Sequence, residues 1–238
     1  MSRIFEKLTR SIVLRIVAAE RDFVVKRKAA ALRAELHRRA LADTADFIEA
    51  HMTTALSCQS RMEHLTFLAP HVKDGLILEF GVYSGETINH LADLLTDRTL
   101  HGFDSFKGLP EAWTGFRYSK ENFDLQGNMP KVRSNVRLIA GWFDQTLSAF
   151  LEKNPGPVAL AHVDCDIYSS TKTVLDLLAP RFVPGSVIAF DEFFNYPNFR
   201  LHEIKAFNEF VETYRVKYEF LGYAGEQASL RILEIHAA

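Results

Sequence analysis

The sequence predicts an α/β fold: a mostly parallel sheet with helices on both faces, closed by an antiparallel C-terminal hairpin and preceded by N-terminal helices. Strand and helix patterns alternate from about residue 76 onward, as successive βαβ units require. An apolar run at Ile77, Leu78, Phe80 and Val82 leads through Gly81 and Gly85 into a helix, so a strand buried on both faces meets a tight turn. The last two strand patterns are linked only by Ala224 to Ser229, too short for a crossover, and must therefore pair as a hairpin.

Residues 1–70 read as a helical segment and residues 71–238 as the α/β domain. In the first, Phe5, Leu8, Ile12 and Ile16 fall near helical spacing, with Lys7, Arg10 and Arg15 interleaved. Residues 1–40 carry eleven Lys and Arg against four acids, a net +7, which leaves −9 on the remainder of a chain whose total is −2. This asymmetry gives the arm a task of its own. A basic amphipathic helix suits an anionic membrane; covering another subunit or the chain's own domain is the preferred expectation, with a homodimer built through these helices. Arg15 interrupts the only apolar run of the arm, so no secretory signal is expected, and no stretch approaches the ~20 apolar residues of a membrane span. The domain is acidic and lacks a basic groove signature, so no nucleic-acid partner is expected. Cys58 and Cys165 do not form a disulfide framework, and a buried free thiol at Cys165 fits a reducing, cytoplasmic setting.

Beyond the arm, strands are expected at 76–82, 99–104, 136–140, 159–165, 186–191, 217–223 and 229–235, with helices near 86–95, 144–153, 170–179 and 200–215. At 238 residues and 47% hydrophobic content, the chain can bury the core of one such domain. Between Lys107 and Arg133 no periodicity is evident. That stretch holds Pro110, Gly115, Gly127 and Pro130 with Trp113, Phe116, Tyr118 and Phe123, and reads as an ordered lid over a substrate, with a mobile linker as the alternative.

The turn after the first strand has the order E-x-G-x-x-x-G, from Glu79 through Gly81 to Gly85. Glycines let a ligand lie close against the backbone. A dinucleotide site instead spaces its glycines G-x-G-x-x-G, seating a pyrophosphate on the helix N-terminus. A carboxylate at Glu79 would repel a pyrophosphate but suits a ligand carrying an amino group and a sulfonium, so the turn favours S-adenosylmethionine. An ordinary strand-to-helix turn is the alternative. Asp104 closes the next strand about 20 residues on, where a carboxylate meets ribose hydroxyls.

Two later strands end in acids: Asp164 and Asp166 on one, Asp191 and Glu192 on the next. Ligands of open α/β sheets bind beyond the carboxyl ends of the strands. If these strands are neighbours, at ~4.8 Å spacing, the four carboxylates converge and repel one another. A divalent cation resolves that conflict, and Mg²⁺ fits because no Cys or His stands at a zinc-like spacing. Such an ion would activate an acceptor hydroxyl while a carboxylate takes its proton. Alternatively the acids are separate strand-end and cap residues, with Asp166 and Ser169 capping the helix near Ser170. His162 is expected to be a core or surface residue. His202-Glu203 opens a helical stretch within reach of the crevice.

The blocks Glu79-Phe80-Gly81-Val82-Tyr83-Ser84-Gly85, Phe103-Asp104-Ser105-Phe106-Lys107-Gly108-Leu109-Pro110, Gly141-Trp142-Phe143, Asp164-Cys165-Asp166-Ile167-Tyr168-Ser169-Ser170-Thr171 and Pro184 to Glu192 together resemble the macrocin O-methyltransferase family. The resemblance covers about residues 76–215. It implies a class I methyltransferase fold with a Rossmann-like sheet, and methylation of a small-molecule hydroxyl, such as one on a sugar or natural product, with S-adenosylmethionine and Mg²⁺. It further implies that Asp164, Asp191 and Glu192 ligate the metal and that Asp166 is the general base. Glu79, Gly81 and Asp104 would hold the cofactor, together with Tyr83, Ser84, Gly85, Ser105 and Asp164, and Trp142 and Phe143 would border its adenine. Glu192 stands where the family often has a second aspartate, and Cys165 where a small glycine is common. A metal-free small-molecule methyltransferase and a non-catalytic cofactor-binding interaction protein are the competing expectations.

Overall fold

The computed structural model describes residues 2–113 and 121–236, with side chains at 2–14, 16 and 17 left aside. The expected apolar stripe of Phe5, Leu8, Ile12 and Ile16, and Gly115, Phe116 and Tyr118 of the lid, lie outside the described side chains and residues.

The arm is a single 50-residue helix, α1 (Ser2–His51). Its middle stretch is exposed, whereas Ala40 and Thr44 are buried and Phe47 and Ile48 dock on the core. The Phe47 ring meets Phe193, Phe194 and Phe220 at 5.8–6.2 Å. Asp43 accepts two hydrogen bonds from Arg200 at 2.6 and 2.7 Å, and Thr44 Oγ1 accepts the Asn195 N–H at 2.9 Å. The helix is thus fixed to the domain by its last three turns.

The segment expected to be wholly helical is then interrupted by a strand, β1 (Leu56–Ser57), before α2 (Arg61–Leu68). Two residues are too few to show alternation in a sequence, and β1 exists because it can pair in parallel with a later edge strand. Ser60 begins α2 by accepting the Glu63 N–H at 3.2 Å, while Glu63 accepts the Gln59 N–H at 2.7 Å, a variant of the capping box.

The remaining elements follow the expected alternation: β2 (Leu76–Phe80), α3 (Glu86–Leu94), β3 (Leu100–Asp104), β4 (Val136–Ala140), α4 (Phe143–Lys153), β5 (Val158–Val163), α5 (Tyr168–Leu178), β6 (Val187–Phe190), α6 (Glu203–Tyr214), β7 (Lys217–Ala224) and β8 (Gln227–Glu234). The sheet order is β1-β7-β8-β6-β5-β2-β3-β4, with β8 antiparallel to both neighbours and every other pairing parallel. All six residues of β5 and all four of β6 are buried, as central strands covered on both faces must be. The direction of winding reverses between β2 and β5, so the crevice for a ligand opens at their carboxyl ends.

Candidate active site

The glycine turn begins where β2 meets β5. Gly81 has φ +95°, and a Cβ there would lie 1.6 Å from the Asp164 carbonyl oxygen, so only glycine lets the two strand ends approach this closely. Tyr83 is held at φ +44°, an unusual conformation for a large side chain. Asp104 stabilises it: one carboxylate oxygen accepts the Val82 and Tyr83 N–H groups at 2.8 Å each, and the other accepts Phe106 N–H at 2.7 Å. The residue expected to meet a ribose is therefore also the knot of the turn. Gly85, at φ +83°, forms the N-cap of α3.

A cavity of about 900 Å³ opens above this turn, bordered by Gly81, Tyr83, Ser84, Asp104 and Ser105 on one side and by Trp142 and Phe143 on another. Two expected cofactor residues do not border it. Gly85 shapes the helix start instead. Glu79 is buried beneath the turn, where one oxygen accepts Thr87 Oγ1–H at 3.0 Å and the other lies 2.8 Å from His162 Nδ1. Glu79 and His162 are register partners on β2 and β5, so strand pairing directs the carboxylate to its neighbour and away from the cavity. Glu79 thus meets Thr87 and His162 and does not line the cavity.

Because β5 and β6 are adjacent and parallel, their ends bring Asp164, Asp166, Asp191 and Glu192 to the same cavity. Among the described residues, ligand atoms of Asp164, Asp166 and Glu192 lie within 4.8 Å of one another, as do those of His162, Asp164 and Asp191. The expected trio of Asp164, Asp191 and Glu192 is divided between these groups. The capping alternative also fails: Ile167 is the N-cap of α5, Asp166 sits at φ +64°, and Ser169 donates to Glu111 at 2.6 Å.

Burial pushes the carboxyls of Asp164 and Glu192 well above the usual range, with Asp191 adding to the shift at Asp164 and Asp166 adding to it at Glu192. Asp166 is raised to about 7 by burial and then by Asp191. Arg61 opposes this repulsion. Its guanidinium bonds Asp164 and lies 2.8 Å from Asp191. Glu203, fully buried at the start of α6, accepts the Glu192 N–H at 3.0 Å and so fixes the second acidic strand end from behind. One oxygen of Glu192 is buried without a hydrogen-bond partner. An orphaned carboxylate oxygen within a three-carboxylate group is what a hard divalent cation would satisfy, so the residues present fit such an ion.

Arg61 and the buried pairing of His162 were not singled out in advance. Arg61 contacts an acid 103 positions away from a segment that looked like an accessory arm, and nothing local marks it. His162 carried one usable signal, its register opposite Glu79. From the expected lid, Leu109, Pro110 and Trp113 border the cavity, and Trp113 is buried with its ring 6.1 Å from those of Tyr196 and His202.

A parallel sheet wound in this order, ending in an antiparallel β7–β8 pair and carrying its cavity beyond β2 and β5, is the class I methyltransferase fold. Residues 78–193 match the methyltransferase domain family. Among proteins of known activity, it is 29% identical over 175 residues to the 8-demethyl-8-(2,3-dimethoxy-alpha-L-rhamnosyl)-tetracenomycin-C 4'-O-methyltransferase of Streptomyces olivaceus, covering 64% of this chain and 62% of that protein. It is 26% identical over 170 residues to the demethyldecarbamoylnovobiocin O-methyltransferase of Streptomyces niveus, covering 61% and 60%. The chain thus spans about three fifths of the length of these relatives. The crystal structure of CalS11, a calicheamicin methyltransferase, superposes with a TM-score of 0.57 at 26% identity, covering 71% of this chain and 76% of that one.

Proposed function

We propose that this protein is an S-adenosylmethionine-dependent O-methyltransferase acting on a hydroxyl of a small-molecule acceptor, such as a sugar on a natural product, with a divalent cation assisting. The observation that carries the reading is that one cavity joins the glycine turn to the acid cluster. The relatives above, named as O-methyltransferases of rhamnosyl-tetracenomycin and novobiocin compounds, support the acceptor class.

S-adenosylmethionine supplies a methyl group on a sulfonium, and a divalent ion lowers the pKa of a coordinated hydroxyl. Gly81, Tyr83, Ser84, Asp104 and Ser105 line the side assigned to the cofactor, and Trp142 and Phe143 offer apolar faces for an adenine. Asp164 and Glu192 would hold the ion, with Asp166 beside them. Asp191, paired with Arg61 and near His162, belongs to the alternative ligand group with His162 and Asp164. As the acceptor oxygen bonds to the methyl carbon and the carbon–sulfur bond breaks, the Asp166 carboxylate takes the hydroxyl proton. Leu109, Pro110 and Trp113 cover the cavity and limit access of water.

No helix among the described residues is long and apolar enough to cross a membrane. A cytoplasmic setting and a homodimer belong to this proposal, the latter supported by Phe23, Leu32 and Leu36, exposed along α1; a monomeric mass by light scattering would remove the dimer. The activity is tested by incubating the protein with methyl-labelled S-adenosylmethionine, Mg²⁺ and a panel of deoxysugar-bearing acceptors. Labelled ether product that disappears with EDTA is expected. Transfer undiminished after thorough chelation would leave a metal-free methyltransferase, and failure to bind S-adenosylhomocysteine would end the methyltransferase reading.

A further inference from the structure

We propose that Arg61 is the resident counter-ion of the acid cluster and competes with a divalent cation for Asp164, thereby setting the ion affinity of the site. The inference rests on the metal-assisted reading above. Asp164 is the one residue common to both ligand groups found among the described residues, His162 with Asp164 and Asp191, and Asp164 with Asp166 and Glu192. A cation bound by either group must share Asp164 with the guanidinium that already bonds it. The Arg61 side chain also reaches Asp191 at 2.8 Å and is only about a third exposed, with side-chain accessibility 32%.

The position of this competitor is built into the fold. Arg61 is the first residue of α2, and the reciprocal Ser60 and Glu63 bonds fix the helix start from which its side chain departs. Burial opposes its charge, but Asp164, then Asp191, Glu192 and Glu79, outweigh that effect and keep the guanidinium cationic. The cluster therefore contains a balancing cation of its own, and an arriving ion must work against one positive charge at close range. A guanidinium, always charged and forked, can bridge two carboxylates in a way a lysine cannot.

The test uses full-length protein stripped with a chelator and titrated with Mn²⁺, free ion being read by electron paramagnetic resonance, so that no turnover is needed. Arg61→Met and Arg61→Gln both remove the charge, and the glutamine preserves a donor toward Asp164 should the methionine variant fold poorly by circular dichroism. Both neutral variants are expected to bind Mn²⁺ about tenfold or more tightly than wild type. Arg61→Lys, which keeps the charge but not the fork, is expected to fall between wild type and the neutral variants. A folded neutral variant that binds Mn²⁺ no better than a wild type that does bind it overturns the competition while leaving the metal reading intact. Absence of Mn²⁺ binding in wild type and neutral variants alike overturns the metal reading and the inference with it.

Discussion

Asp104 offers a direct perturbation of the cofactor turn. Its carboxylate accepts three backbone N–H bonds, two at 2.8 Å and one at 2.7 Å, and these hold Val82, Tyr83 and Phe106 around the end of β3. Hydrogen bonds to a charged group contribute about 1.5–3 kcal/mol each. Asp104→Asn keeps the shape but only one acceptor oxygen. If that oxygen serves Val82 and Tyr83, the new amide faces the Phe106 N–H, so one bond is lost and two donors oppose each other. Because Asp104 is partly exposed, water offsets some of this, and the expected cost is about 2–3 kcal/mol. In a domain of this size such a loss lowers the melting temperature by roughly 4–12 °C. Tyr83, no longer held at φ +44°, should leave the binding conformation, and affinity for S-adenosylhomocysteine measured calorimetrically should fall about tenfold or more. Asp104→Ala, which removes all three bonds, should exceed Asp104→Asn in both readouts. An Asn variant that melts within about a degree of wild type and binds the ligand equally well would refute the assignment of Asp104 as the knot of the turn.

Further predictions test other parts of the account. Asp166→Asn should fold normally, since asparagine tolerates the φ +64° backbone, and should bind S-adenosylhomocysteine while its turnover falls by roughly 10²–10⁴-fold; unchanged turnover would remove Asp166 as the proton acceptor. Gly81→Ala forces a Cβ to 1.6 Å from the Asp164 carbonyl at a backbone angle alanine avoids, and should cost more than about 3 kcal/mol in chemical denaturation and abolish cofactor binding; wild-type stability would contradict the close approach of β2 and β5. His64, lowered to about 4 by burial and then by His162, resists protonation in the native state, while the unfolded chain takes up the proton near 6.5. Its contribution is therefore fully present above pH 6.5 and is lost as pH falls toward 4, by about 3 kcal/mol in all. Denaturation curves for wild type and His64→Gln should converge over that window, and parallel curves would dismiss the effect.

The domain's elements were legible because each carried a complete signal. The near-continuous apolar residues of 158–163 and 187–190 marked central strands, and the six residues from Ala224 to Ser229 forced the hairpin. The remaining features are either too short or too distant in sequence to leave a local signal. β1 has two residues and owes its existence to an edge strand some 166 positions later, with Leu56 opposite Gly222. Arg61 reaches across 103 positions into the cavity. The convergence of four acids followed from strand adjacency, but their partition did not, because all four lie past the strand ends, with Asp166 at φ +64°. Asp191 lies against Arg61 and His162, and Asp166 groups with Asp164 and Glu192. Glu79 has the position of a ligand-facing acid, and in the structure its carboxylate lies 2.8 Å from Nδ1 of its register partner His162.

The central claim is that one cavity seats the methyl donor on the Gly81 turn and an ion among the acids of β5 and β6. A crystal grown with S-adenosylhomocysteine and Mn²⁺, with data collected near the manganese absorption edge, addresses both halves at once. The account predicts ligand density against Gly81, Tyr83 and Trp142, and an anomalous peak between Asp164, Asp166 and Glu192. An anomalous peak elsewhere in the molecule, or nucleoside density outside this cavity, would contradict it.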